Sequence, residues 1–132
     1  MNSPTRDRRD RPSVDRTVLA ALREDVGDQV LQSFIRTYID LLIKRLAHID
    51  RAVARRDCLD ALQEVPDLRV TSAMLGAGRL TDLTEALETF LRRGRIAAAA
   101  GMLSGIQAEA AAVVTALRAV NGERTDPQPP NL

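Results

Sequence analysis

From Leu31 to Val53 and again from Ile96 to Val120, apolar residues recur at every third or fourth position. That is the interval at which one face of an α-helix repeats. In the second segment the pattern resolves into two interleaved seven-residue series. Ile96, Leu103, Ala110 and Leu117 form one; Ala99, Ile106, Val113 and Val120 form the other. Nowhere between the termini does a strand-like alternation bounded by turns occur. Aromatic residues are confined to Phe34, Tyr38 and Phe90, with no tryptophan. A core built from Leu, Ile, Val and Ala suits closely packed helices better than a sheet sandwich.

Helix boundaries follow from caps and glycines. Ser13 or Asp15 can cap a short first helix carrying Val18, Leu19 and Leu22 and ending near Gly27. The second runs from Asp28 to about Arg56, with Leu31, Phe34, Ile35, Tyr38, Leu42, Leu46, Ile49 and Val53 on its buried face. A third begins near Cys58, with Leu59, Leu62, Val65, Leu68, Ser72 and Leu75 along one seam, and stops at Gly76. The fourth spans about Ala77–Arg93 and the last about Arg95–Val120. The fold expected is all-α: an antiparallel four-helix bundle preceded by a short additional N-terminal helix.

A chain of 132 residues is most simply one domain. The expected division is a disordered arm over 1–12, a bundle over 13–120 and a second tail over 121–132, which holds Gly122, Pro127, Pro129 and Pro130. Lys+Arg 19 against Asp+Glu 18 does not favour a nucleic-acid partner. In the arm, Arg6, Arg8, Arg9 and Arg11 alternate with Asp7 and Asp10, so a solvated tail is favoured over a nucleic-acid arm. No apolar run approaches the ~20 residues that span a bilayer, and the first residues lack an apolar signal core. These features lead to the expectation of a soluble cytoplasmic protein with no membrane partner. Cys58 is the sole cysteine, which excludes an internal disulfide and any multi-cysteine zinc site. No metal, cofactor or catalytic set is visible. The chain is read as a non-enzyme.

Residues 66–77 read Pro66-Asp67-Leu68-Arg69-Val70-Thr71-Ser72-Ala73-Met74-Leu75-Gly76-Ala77. This stretch resembles the motif of the histidine-containing phosphotransfer (HPt) domains of bacterial phosphorelays, His-x-Leu-Lys-Gly-Ser-Ser/Ala-x-x-Leu-Gly-Ala. Leu68, Ser72, Leu75, Gly76 and Ala77 match; Arg69 replaces the lysine, Val70 the glycine and Thr71 the first serine. Pro66 occupies the phospho-histidine position. Proline has no nucleophile and no titratable proton. The resemblance therefore implies a degenerate, pseudo-HPt member with an HPt-like bundle and no phosphotransfer chemistry at Pro66. It also implies the family's partners, a response-regulator receiver domain or a histidine kinase.

On a helix, Leu62, Gln63, Arg69, Val70 and Ala73 share a face with Pro66. Together these six form the candidate partner-binding face, with Leu62 at its rim and Arg69 keeping a positive charge on it. Val70 adds bulk where a partner would come closest. In a helix interior Pro66 would cost about 3 kcal/mol by removing a hydrogen bond to Leu62 and crowding its carbonyl. A kink or break between Leu62 and Pro66 is predicted: either the chain bends there, or a fresh helical segment starts with Pro66 in its first turn and Asp67 near its positive end.

Other residues offer alternatives. His48, the sole histidine, lies on a stripe with Leu41, Lys44, Arg51 and Arg55. It reads as a solvent-facing side chain beside cations, and less readily as an alternative phosphocarrier. Gly101 and Gly105 read as a close-packing point, within the bundle or in a homodimer through the alanine-rich last helix. Cys58 reads as a partly buried structural thiol. Gly76-Ala77-Gly78 reads as a helix connection, because the lysine and hydroxyl of a phosphate loop are absent.

Overall fold

The computed structural model describes residues 12–124. Among them six helices follow in order: α1 (Arg16–Val26), α2 (Asp28–Ala54), α3 (Cys58–Leu62), α4 (Val65–Met74), α5 (Gly78–Arg92) and α6 (Ile96–Arg124). The α3–α4 pair, α2, α5 and α6 form a four-helix bundle, and α1 packs on α2. Asn121 Nδ2 near the end of α6 donates to the Gln32 carbonyl near the start of α2, so these two helices run antiparallel. The all-α architecture is the one that the periodicity predicts. The arm over residues 1–11 and the tail over 125–132 lie outside the described residues. Asn121 to Arg124, expected to open the tail, instead continue α6.

The core consists of aliphatic side chains, Ala residues and Tyr38. Leu31, Ile35, Leu42 and Ile49 of α2 meet Leu68 and Leu75, Leu80 and Leu87, and Ile106, Val113 and Leu117 of the facing helices. Three of the connections close the same way. Ahead of α3, α5 and α6, a residue with positive φ (Arg56, Gly76, Gly94) is followed by an N–H that reaches back five residues: Asp57 to Ala52, Ala77 to Ser72, and Arg95 to Phe90. This wrap satisfies carbonyls that a helix end would otherwise leave unpaired. At α1, Asp15 caps by accepting from the Thr17 N–H at 2.9 Å.

The predicted break is present. α3 ends at Leu62 and α4 begins at Val65. Gln63 and Glu64 bond back only three residues, to Asp60 and Ala61, which tightens the turn. Pro66 sits in the first turn of α4, where its missing N–H costs nothing because that donor has no helical acceptor. The break also changes the phase of the helix. Leu59, expected on the buried seam, is 78% exposed, while Ala61 takes the core position. A seam drawn at continuous spacing through residues 59–75 could not anticipate that shift.

Two further expectations are corrected. Gly101 and Gly105 are exposed, and a Cβ built on either meets nothing within 4 Å, so neither is a close-packing point within the bundle. The stretch Ile96–Gly122 of α6 is long and apolar enough to cross a membrane by length and composition, with mean hydropathy 1.4 and 33% of the window buried. Alanine raises its hydropathy without supplying a run of large apolar side chains, which is why the sequence shows no such run.

Candidate functional site

All six residues of the expected partner-binding face retain solvent exposure. Gln63, Val70 and Ala73 are exposed, and Leu62, Pro66 and Arg69 are partly buried. Pro66 and Val70 are four residues apart and Ala73 three further, which aligns them on one side of α4. Met74, four beyond Val70, extends the apolar ridge; the two side chains are 48% and 47% exposed. Met74 stands outside the motif-derived face, because motif spacing does not track the exposed side of the helix.

Arg69 does not present a free charge to this surface. Its Nε donates to Glu88 Oε1 of α5 at 2.9 Å. Arg92 holds the other oxygen, Oε2, at 2.8 Å. Hydrogen bonds from Arg92, then from Arg69, keep the Glu88 carboxyl below its ordinary range against the opposing effect of burial. The guanidinium expected to keep the face positive is thus tied to a buried acid that it shares with Arg92, and the two cations and one carboxylate together remain net positive.

His48 departs further from expectation. Its Nε2 lies 2.9 Å from Asp60 Oδ1 of α3, and its Nδ1 lies 2.9 Å from Glu64 Oε2 at the start of α4. Arg55 also bonds Asp60, and Arg45 pairs with Glu64 and Asp67. The charges nearest the ring are therefore acids from a neighbouring element, and the side chain is not a solvent-facing group on a basic stripe. The hydrogen bond from His48 is the leading cause that holds the Asp60 carboxyl below its usual range. The cluster fastens α2 to the corner where α3 breaks into α4. Sequence spacing could not reveal it, because the acids arrive from across the turn.

Beside this cluster Leu41, Lys44, Arg45, Ala47, His48, Arg51 and Glu64 line an open groove of about 520 Å³. Lys44 and Arg51 are exposed on its rim. Cys58 is half-buried against the core. Among the described residues no group of His, Cys, Asp and Glu is arranged to hold a metal ion.

The motif matches and departures separate by location. Leu68, Ser72, Leu75 and Ala77 are fully buried. The Ser72 hydroxyl pairs with the Tyr38 hydroxyl at 2.7 Å inside the core, and burial pushes the Tyr38 phenol up to about 12. Gly76 adopts φ +78 and lies against α1, where the Asp15 N–H donates to its carbonyl at 2.9 Å. The departures, Pro66, Arg69, Val70 and Thr71, all retain solvent exposure. The matched residues therefore specify how the bundle packs, and the changed ones alter its surface.

Comparison with known proteins places this arrangement. The chain is similar in structure to histidine-containing phosphotransfer protein B (HptB) from Pseudomonas aeruginosa PAO1. The TM-score is 0.78 and the identity 24%, over 83% of this chain and 95% of that one. At that identity the likeness establishes the fold. No curated protein matches the chain. The sequence model of the Hpt domain matches residues 33–119, a span from the second turn of α2 into the last turns of α6, and the chain accordingly belongs to the Hpt domain family of two-component phosphorelay modules.

Proposed function

We propose that this chain is a pseudo-phosphotransfer module. It binds a receiver domain or a histidine kinase through the surface of α2 and α4 and carries no phosphoryl group. Its working unit runs from residue 13 through the end of α6. The observation that carries this reading is Pro66, which stands partly exposed in the first turn of α4 at the motif's histidine position. A phosphocarrier there needs an imidazole lone pair to attack an acyl phosphate and a cation to offset the arriving charge. Proline supplies neither lone pair nor proton. The cation at Arg69 is occupied by Glu88, and Val70 fills space where glycine would leave clearance.

What supports retained binding is the apolar ridge of Pro66, Val70, Ala73 and Met74 on α4, together with the exposed Lys44 and Arg51 on α2. An apolar centre with a charged rim is the usual composition of a transient protein interface. The module would act as a decoy or hold its partner in one state. Phosphorylation at His48 is the competing reading, and the geometry disfavours it. Both ring nitrogens face carboxylates at 2.9 Å, and an incoming phosphoryl group would have to displace one acid and sit beside the other, against charge repulsion.

The test is incubation of the full chain with phosphorylated receiver domains, following both binding and acid-labile phosphate on this chain. Binding without label is expected, and Arg69→Glu or Val70→Asp should weaken it about tenfold. Label that disappears in His48→Ala would overturn the non-carrier reading. Failure to bind any receiver or kinase would overturn the docking reading.

A further inference from the structure

The opposite flank of α2 leads to a second surface. On an ideal helix, successive residues turn by about 100°. His48, Arg45 and Leu41 face the α3–α4 corner, while Ile43, Leu46 and Asp50 turn towards α6. There, α2 and α6 enclose an open groove of about 570 Å³, lined by Ile43, Ala47, Ala111 and Val114 among others, with Asp50 and Arg118 also on its walls. Ile43 is 54% exposed at its edge. Between Arg95 and Arg118 the single charged residue of α6 is Glu109, and that carboxylate is turned inward onto Arg79 of α5 at 3.1 Å. The solvent side of α6 is thus uncharged for about 33 Å. Small residues alone would identify no ligand; the groove and its two charges do more.

Because α2 and α6 are antiparallel, Asp50 and Arg118 lie at opposite ends of the groove, roughly 20 Å apart along its length. Arg118 is flanked by Arg36 and Asp40, whose charges offset each other, so that end remains net positive. No hydrogen bond or ion pair within the described residues engages Asp50 or Arg118. A surface with an acid at one end, a base at the other and an apolar middle is complementary to itself under a two-fold rotation.

We propose that this groove is the interface of a homodimer. Two copies pack groove to groove about a two-fold axis near Ala111, with Asp50 of each chain on Arg118 of the other. The strip is about 33 Å long and roughly two helix diameters wide, the scale on which a standard interface of ~800 Å² per partner is built. A bilayer is the competing occupant of an uncharged helix face, but it would have to bury Asp50 without a counter-charge. The surface is distinct from the Pro66 face, so its use does not depend on what that face binds.

Sedimentation equilibrium of the full chain over increasing concentration tests the proposal. A concentration-dependent monomer–dimer equilibrium is expected. Asp50→Arg or Arg118→Asp alone places like charges in two symmetry-related contacts, and each should raise the dissociation constant about tenfold or more. Mixing the two single variants should restore association, as should combining both changes in one chain. Ile43→Glu should abolish it. A monomer at every concentration would refute the interface. So would a dimer indifferent to Asp50→Arg and Ile43→Glu, or a monomer that cosediments with phosphatidylcholine vesicles.

Discussion

Replacing Gly76 with alanine should separate two contributions that the sequence merges into one helix stop. Gly76 and Gly94 both have positive φ, +78 and +72. Each therefore incurs the left-handed penalty of about 1–2 kcal/mol when a Cβ is added. They differ in their surroundings. Nothing lies within 4 Å of a Cβ at Gly94, whereas one at Gly76 comes within 3.0 Å of both the Asp15 carbonyl oxygen and Val18 Cβ. Neither is the far end of a flexible side chain, so α1 must move. That movement weakens the Asp15-to-Gly76 hydrogen bond, worth about 1 kcal/mol. It also loosens the packing of Val14 and Leu19, which are buried where α1 meets the bundle. Losing half the burial of one such side chain costs about 1 kcal/mol more. Gly76→Ala is thus expected to destabilise by about 3–4 kcal/mol against about 1–2 for Gly94→Ala. Urea unfolding followed by far-ultraviolet circular dichroism measures both under one linear extrapolation. Equal losses in the two variants would refute the argument that α1 docking, and not the helix stop alone, requires glycine at position 76.

Other perturbations test the core, the acid clusters and the helix break. Tyr38→Phe leaves the buried Ser72 hydroxyl without its partner and should cost about 1–2 kcal/mol. Adding Ser72→Ala should recover part of that loss in a double-mutant cycle, and strict additivity would argue against the pair. Asp60 and Glu88 have carboxyl groups held below their ordinary values of 3.8 and 4.5. A depressed folded-state value contributes stability above the unfolded value that is lost as pH falls through the folded one. Acid titration should therefore show stability declining from about pH 4.5 downward, and His48→Ala should reduce the Asp60 part of that decline; an unchanged acid limb would contradict the clamp. Pro66→Ala should destabilise by no more than about 1 kcal/mol, since proline in a first helical turn lowers unfolded-state entropy and breaks no hydrogen bond. A gain near 3 kcal/mol, the size expected on removing an interior proline, would show that Pro66 strains the helix.

The separation of motif matches from motif departures explains why family and function are unequally legible. Leu68, Ser72, Leu75 and Ala77 are buried, and Gly76 accommodates α1. Their identities report packing, so their survival identifies the bundle whether or not the surface still works. Pro66, Arg69 and Val70 lie where packing does not dictate identity, and their changes bear on binding and chemistry. The motif therefore specifies the fold, whereas activity resides in the exposed positions that packing leaves free to change.

Local sequence determined the elements of this protein: the helical period, the glycine stops after α1, α4 and α5, the aliphatic core and the break ahead of Pro66. Each of these depends on residues within one or two turns of one another, where spacing alone specifies geometry. Only tertiary structure decided that Leu59 faces solvent, that Arg69 shares Glu88 with Arg92, that His48 is held between Asp60 and Glu64, and that Gly101 and Gly105 touch no neighbouring helix. Those outcomes depend on the phase of a broken helix and on side chains brought from other elements. A small rotation of one helix decides which charge meets which, and periodicity is too coarse to specify it.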